Sequence, residues 1–435
     1  MNSRKIANKI FRSALTAVNP EIIVKECAKD ISSTLRQENF KDIIVVGFGK
    51  AAFQMACAIE DVIGVDLITA GIVVTKYGHA ESNGSSLKKI KVFEAAHPIP
   101  DDSGIKATEK IIELLKSAGS ETLVLCLISG GGSALLVSPM DGISLGEKQT
   151  ITDLLLRAGA DIEELNAVRK HLSKVKGGRL AEVASPAKLI SIIISDVIGD
   201  KLDVIASGPT SADSSTFSDA LRVIEKYNLV EKTPQSIINI FNGGNAGKVP
   251  DTPKGDNPLF GSIQNIIVGN NQKAVDAAAT EARNQGFETD VISMTVSGEA
   301  REVAKGMAEK AKKALSKDHK GKVCLVSGGE TVVTVKGEGK GGRNMELALS
   351  FAMEIEGMEG ITLLSAGTDG TDGPTDAAGA IVNGNTVIKA RDMGLDPVEF
   401  LNNNDSYNLF SKTDSLLITG PTGTNVMDIQ IILMD

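Results

Sequence analysis

Short apolar runs of strand length alternate with amphipathic segments along most of the chain, and that alternation leaves few folds open. "DIIVVGFGK" from Asp42, "GIVVTK" from Gly71, "IKVFEAA" from Ile90, "TLVLCLISG" from Thr122 and "KLISIIISD" from Lys188 are short and largely apolar. Such runs mark strands buried on both faces. The segments between most of them have helical patterns. Together they predict an open, largely parallel α/β sheet whose right-handed crossovers gather the strand-end loops on one edge. A Gly-, Pro- and Asn-rich stretch from Thr233 to Gly261 is the best boundary, and the alternation resumes beyond it at Asn265 and Thr289. There the rhythm changes. "KVCLVSGG" from Lys322 runs directly into the alternating "ETVVTVKGEGKGG", which predicts a hairpin in a mixed sheet. Two α/β domains are expected, 1–240 with a largely parallel sheet and 241–435 with a mixed one. Each holds one copy of the same phrase, an apolar strand ending in Ser-Gly-Gly, beginning at Cys126 and at Cys324.

Composition narrows the function. The net charge of −9 argues against a general nucleic-acid or membrane-surface binder. Aromatics are scarce, with no Trp, three Tyr and 12 Phe, which argues against stacking platforms for single strands. Cys27, Cys57, Cys126 and Cys324 form no Cys-x-x-Cys pair and read as buried free thiols in a reducing cytoplasm. The first twenty residues lack an apolar core of signal-peptide type. They read as an amphipathic helix with Ile6, Ile10, Leu15 and Val18 on its apolar side. No run of 18 apolar residues is present to span a membrane.

Five segments carry chemistry. Gly47, Gly49 and Ala52 satisfy G-x-G-x-x-A between a strand and a helix, the dinucleotide fingerprint in its proper context. The acid that should bind a ribose is missing, because the second strand ends in Thr75 and Lys76. What remains is a helix N-terminus with Lys50 on its rim, suited to a phosphate or carboxylate. In "LISGGGSALL", Ser129, Gly130, Gly131, Gly132 and Ser133 offer bare amides and two hydroxyls, a nest for an anion. "LNAVRKHLSKVKGGRLAEVA" concentrates cations in an acidic chain. On a helix from Asp161 its apolar stripe is Ile162, Leu165, Val168 and Leu172. Arg169 lies beside that stripe and can reach a cleft, whereas Lys170 points elsewhere and His171 is expected on the surface. Asn166, Lys176, Gly177 and Gly178 belong to the same candidate site. In "TVKGEGKGGRNMELAL", Arg343 stands in the first turn of a helix, where its charge is unfavourable. A broken local rule of this kind marks a functional position. Arg343 can present a planar fork to an anion, with Glu346 placed to orient it. Finally, Asp196 ends one strand, and Asp369, Asp372 and Asp376 follow another in "SAGTDGTDGPTDAAGA". Such carboxylates hold Mg²⁺, accept a hydroxyl proton or form Asx turns. Cys and His clusters for zinc are absent from the sequence, and its four histidines suggest no Ser-His-Asp arrangement. The inventory suits phosphoryl transfer, which needs positioning and charge neutralisation more than covalent help.

The motifs "HPIPDDSG", "LISGGGSALL", "NAVRKHLSKVKGGRLA", "ISDVIGDKLDVIASGPT", "GGRNMELAL", "SAGTDGTDGPTDAAGA" and "TGPTGTNVMDI" resemble, in this order, the glycerate 2-kinase family that carries a MOFRL domain in its second half. The resemblance runs from Val45 to Asp428. It implies a Rossmann-like amino-terminal domain, an α/β carboxy-terminal domain with an active site in the cleft between them, and phosphorylation of D-glycerate to 2-phosphoglycerate with ATP and Mg²⁺. It implies catalytic roles for Lys50, Asp196 and Arg343. ATP phosphates would be cradled by Ser129–Ser133 with Asn166, Lys176, Gly177 and Gly178. Substrate contacts would come from Lys50, Arg169, Arg343 and Glu330, and Mg²⁺ contacts from Asp196 and Asp369. The implied partner is a small molecule, with no nucleic acid and no membrane, in a cytoplasmic monomer or homodimer. Some relatives have been labelled hydroxypyruvate reductases, so an NAD(P)H-dependent reductase is the alternative, resting on G-x-G-x-x-A and Lys76, with the missing ribose acid against it. A non-catalytic sensor of phosphorylated metabolites is the second rival.

Overall fold

The computed structural model describes residues 3–38, 40–80, 86–316 and 321–435. They form two units with separate sheets, residues 20–268 in one and residues 1–19 with 269–435 in the other. The expected division at 240/241 differs from this. It falls inside the helix Gln235–Asn245, and the N-terminal helix Ser3–Ala17 packs with the second unit. That helix buries Ile6, Ala7, Ile10, Phe11 and Ala14. It lies against the helix Asn271–Asn284, whose buried alanines 274, 278, 279 and 282 allow a close approach.

The sheet of the first unit contains β1 (Asp42–Phe48), β2 (Ala70–Lys76), β3 (Ile90–Ala95), β4 (Thr122–Ile128), β5 (Lys188–Ile194) and β6 (Ile263–Gly269), in the order β3-β2-β1-β4-β5-β6. The first five run parallel. All seven residues of β4 are buried, as its unbroken apolar sequence requires. Ile44, Val46, Phe48, Val124, Cys126 and Ile128 join Ala107, Ile111 and Leu115 of the helix Asp102–Lys116 in one core. A second core gathers Ile151, Leu165, Val168, Leu172, Phe217 and Phe241 from the helices after β4 and β5. The chain leaves β1 towards β2 on one side, while β4 lies on the other. Ligands of open parallel sheets bind at such a reversal, outside the carboxyl ends of the strands. The register sets Phe48 beside Ile128 and Ile128 beside Ile193, so the turns after β1, β4 and β5 emerge along one edge.

The second unit contains β7 (Glu288–Val296), β8 (Val323–Gly329), β9 (Ile361–Gly367), β10 (Gly379–Asn383), β11 (Leu416–Leu417) and β12 (Asp428–Met434), in the order β11-β10-β9-β12-β8-β7. The sheet is mixed, because β12 inserts antiparallel between β8 and β9 while β7 and β8 run parallel. The expected hairpin after β8 is not formed. Residues 331–342 make a loop with an isolated bridge from Val332 to Glu299, and Val332 and Val335 are 59% and 72% exposed. The reason lies in the glycines. Cβ atoms at 337, 339 and 341 would come within 2.3–2.5 Å of Asn403, Asp405 and Ser406. The amides of Lys336 and Gly337 go to Asn404 Oδ1, at 2.8 and 2.9 Å. The loop is therefore pinned to the 403–406 segment, and the edge of β8 is left to β12.

Candidate functional site

At the switch point of the first sheet, the turns after β1 and β4 are laced together. Gly49 has φ +127°, and a Cβ there would lie 2.2 Å from Ser129 Oγ. That hydroxyl is buried and accepts the Ala51 amide at 3.1 Å. The Lys50 amide donates to Gly130 O at 2.9 Å. A Cβ on Gly131 would meet the His97 ring at 2.9 Å and the Lys50 stem at 3.4 Å. Lys50 and His97 therefore flank the triple-glycine turn, and His97 was not singled out as a site residue from the sequence. Among the described residues, no hydrogen bond uses the amides of Gly130, Gly131 or Ser133. These three unpaired donors, with the bonded Gly132 amide between them, have the form expected of an anion nest. Ser129 laces the turns together, and its hydroxyl does not point outward.

Behind the nest lies a network of cations. Lys176, fully buried, donates from Nζ to Ser133 O at 2.7 Å and to Ser133 Oγ at 3.0 Å. Arg169, on the helix Ile162–His171, also donates to Ser133 Oγ. Ser133 and Ser207 hydroxyls pair at 2.8 Å, and Ser207 donates to Asn166 Oδ1 at 3.0 Å. Ala206 and Ser207 hold positive φ, 51° and 63°, a strained conformation for residues with side chains and one that gathers at functional sites. Lys148, on the helix Leu145–Ala158, is 4% exposed, with Nζ 3.3 Å from Leu172 O. Burial, then the charge of Arg169, pushes the Lys148 ammonium down to about 7. Burial lowers Arg169 to about 10. Lys176 lies well below the ordinary lysine range, through burial and then the charges of Arg169 and Lys148.

The remaining cations of this segment are structural. Lys170 does not face solvent. It is 3% exposed and paired with Asp213 at 3.1 Å and Asp203 at 3.4 Å. His171 is not on the surface either. It is fully buried, with Nδ1 2.7 Å from Ala167 O and Nε2 2.8 Å from Asp251. One helix's periodicity cannot reveal acids that arrive from other segments. Gly177 and Gly178 have positive φ, and their amides already donate to Ser207 O and Gly208 O, at 3.0 and 2.7 Å. They close the loop and have no amide left for a phosphate. Asp196 follows β5 and is partly exposed, on the same sheet edge as Ser129.

In the second unit the site centres on Arg343, at the start of the helix Arg343–Glu354. Its Nε and one Nη donate to Asp428 at 2.6 and 2.8 Å, and the other Nη reaches Glu330 at 2.6 Å. Asp428 is fully buried at the head of β12, between Gly329 of β8 and Gly367 of β9. The pair pulls the Arg343 guanidinium above its usual range, against the opposing effect of burial. Asp428 and Glu330 orient Arg343. The expected Glu346 does not, since it binds Arg301 at 2.6 Å and Asn404 at 2.9 Å. Asp372 caps the same helix, accepting the amides of Asn344 and Met345 at 3.1 and 2.8 Å. Burial, and then the charge of Asp428, raises its carboxyl to about 7. Asp369 makes an Asx turn, accepting the Thr371 amide and hydroxyl, each at 3.1 Å. Asp376 accepts the Tyr407 hydroxyl at 2.7 Å. Lys340 lies 4.1 Å over the Tyr407 ring.

Among the described residues, no group of three or more His, Cys, Asp or Glu side chains is arranged to hold a metal by itself. No helix among them is long and apolar enough to cross a membrane. The carboxyl end of β2 bears no acid, and Thr75 donates instead to Lys50 O at 3.3 Å. The fingerprint after β1 is thus completed by an anion nest in place of a ribose clamp.

The chain is similar to known proteins along nearly its whole length. A domain described as of unknown function (DUF4147) matches residues 6–242, and the MOFRL family matches 323–428. The D-glycerate 2-kinase of Thermotoga maritima is 47% identical over 99% of this chain and 98% of its own. A glycerate 2-kinase of Pyrococcus horikoshii is 41% identical over 100% and 98%. The crystal structure of a Thermotoga maritima glycerate kinase superposes with a TM-score of 0.88, at 47% identity and 99% coverage of both chains. An α/β fold matched end to end by kinases defines the class of this protein as a phosphotransferase. The chain belongs to the glycerate 2-kinase family, with a MOFRL region in its second half.

Proposed function

We propose that this kinase transfers the terminal phosphoryl group of ATP to the 2-hydroxyl of D-glycerate, giving 2-phosphoglycerate and ADP. The observation that carries the reading is the nest at Gly130, Gly131 and Ser133, flanked by Lys50, Arg169 and Lys176, in a chain so similar throughout to a D-glycerate 2-kinase. Unpaired amides with cations beside them suit a polyphosphate. Lys50 and Arg343 bind the glycerate carboxylate or the moving phosphoryl group. Asp196 takes the proton as the hydroxyl oxygen bonds to the γ-phosphorus and the bridging P–O bond to ADP breaks. Glu330 shares Arg343 with Asp428 and completes the acceptor side.

Mg²⁺ fits this donor set by its chemistry. It takes one or two carboxylates and fills its shell with phosphate oxygens and water, so a self-sufficient carboxylate cluster is not required. Asp196, if it does not serve as the base, and Asp369 are the carboxylates that would offer it a contact, and when bound the ion would neutralise phosphate charge. The thiols are free, buried at Cys126 and Cys324 but only half-buried at Cys27 and Cys57, where burial was expected, and they fit a reducing cytoplasm. The test measures ADP release with D-glycerate beside NADPH oxidation with hydroxypyruvate, and identifies the product by phosphorus NMR. ADP release with a 2-phosphate product is expected. Lys50→Ala and Arg343→Ala should each lower kcat/KM by ~10²–10³, as loss of a charge clamp does. Near-normal turnover in both variants would remove these residues from the site, and NADPH oxidation without ADP release would replace the function.

A further inference from the structure

Lys148, Arg169 and Lys176 are gathered in the interior of the first unit with no anion beside them. Lys148 and Lys176 are 4% and 0% exposed, and Arg169 is partly exposed. Among the described residues, none of the three makes an ion pair, whereas neighbouring Lys170 has both Asp203 and Asp213. An uncompensated buried cation is costly, and three together also repel one another. A fold that retains them is complementary to something absent from the protein itself.

The hydrogen bonds say what is missing. A hydroxyl has two lone pairs, and Ser133 Oγ already faces Arg169, Lys176 and Ser207. Lys148 has three protons when charged, yet donates to Leu172 O alone. Asn166 Nδ2, on the same network through Ser207, is buried without a partner. Donors exceed acceptors throughout. The cluster opens towards solvent at Arg169 and Ser133, both partly exposed. We propose that Lys148, Arg169 and Lys176 with Ser133 form a preformed receptor for one phosphate group, in which Arg169 and Ser133 touch the ligand and Lys148 acts through the charge it adds behind them. A phosphate supplies several acceptor oxygens and two negative charges, which balance this set better than a single carboxylate. The inference deepens the kinase reading and rests on it for the source of the phosphate, either a nucleotide or a phosphorylated product. Lys148 lies outside every motif that suggested the function.

The test titrates the full chain, and its Lys148→Met and Lys176→Met variants, with inorganic phosphate, ADP and 2-phosphoglycerate by calorimetry. Thermal unfolding is followed with and without phosphate. Each substitution removes a buried cation and keeps a long side chain, so both variants should fold at least as stably as the parent without ligand. Affinity should fall about tenfold or more in each. Whichever of ADP and 2-phosphoglycerate suffers the loss identifies the source. Parental affinity for all three ligands in both variants would overturn the proposal. So would a variant that is less stable than the parent, since the cations would then be structural. Turnover of D-glycerate is measured separately on the parent. Turnover without phosphate binding sinks the receptor alone, and cation-dependent phosphate binding without turnover sinks the kinase reading alone.

Discussion

Asp428→Asn is the sharpest probe of the second unit. Arg343 spends Nε and one Nη on Asp428, at 2.6 and 2.8 Å, and the remaining Nη on Glu330. Asparagine leaves one oxygen in place and turns the other into a donor. Two N–H groups then face each other at a fully buried position. Removing one partner of a buried ion pair costs ~3–5 kcal/mol. Glu330 remains, however, and the Arg343 side chain is 33% exposed, so water recovers part of the loss. A cost of about 2–3 kcal/mol follows, or roughly 4–10 °C in Tm for a unit of this size. The kinetic effect should be larger. With its lock gone the guanidinium no longer holds one orientation, and kcat should fall ~10²–10³. KM should rise less, since the charge is still present. Thermal unfolding and steady-state ADP release on the same preparation separate the two effects. If Tm drops as expected while kcat stays within about threefold, a difference of under 1 kcal/mol, Asp428 only supports the fold and the orientation of Arg343 does not matter. An unchanged Tm would mean that the bidentate pair does not form.

Two further outcomes concern the first unit. Gly49→Ala places a Cβ 2.2 Å from Ser129 Oγ at φ +127°, so it should cost ~3 kcal/mol or more in urea unfolding and abolish turnover. Gly78→Ala, also at positive φ but with open space around it, should cost only ~1 kcal/mol, and equal costs would refute the lacing of the two turns. For Lys148, whose ammonium is pushed down to about 7 by burial and Arg169, the unfolded chain binds the extra proton between about pH 7 and the ordinary lysine value near 10.4. Stability therefore rises with pH across that window, and the full penalty is present below it. Lys148→Met should flatten this slope in unfolding measured from pH 6.5 to 9.5, and an unaltered slope would show that Lys148 is not the group responsible.

How much of this was legible depends on where each constraint comes from. The strands of the parallel sheet could be read because burial on both faces forces an unbroken apolar run, visible within seven residues. Arg169 and Lys176 could be read because a cluster of cations in an acidic chain is a local anomaly. Lys148 could not. In "LGEKQTITDL" it looks like any solvated helix lysine, and its burial is imposed by the segment that holds Leu172 and Arg169. His171 was misread for the same reason, since its acid stands 80 residues away, and the acids that bury Lys170 stand 33 and 43 residues away. Asp428 reads as an ordinary polar residue before a strand. Its role appears only when β12 inserts between β8 and β9, the same insertion that removes the expected hairpin.

The doubled Ser-Gly-Gly phrase makes the point most sharply, because identical text meets different surroundings. After β4 the glycines run past the sheet, the amides of Gly130 and Gly131 stay unpaired while that of Gly132 closes the turn onto Ser129 O, and Lys50 and Arg169 stand close by, which is the setting of the proposed receptor. After β8 the same letters remain inside the ladder, with Gly328 opposite Ile429 and Gly329 opposite Asp428. Here the missing side chains serve packing. A Cβ on Gly328 would lie 1.8 Å from Asn271 Oδ1, and one on Gly329 would lie 2.3 Å from Val296 O. Glycine in the first copy exposes backbone to a ligand, and in the second it lets backbone approach backbone. The neighbouring chain decides which, and the next residue reflects that choice. Gly132-Ser133 continues the nest, whereas Glu330 leaves the ladder to share Arg343 with Asp428.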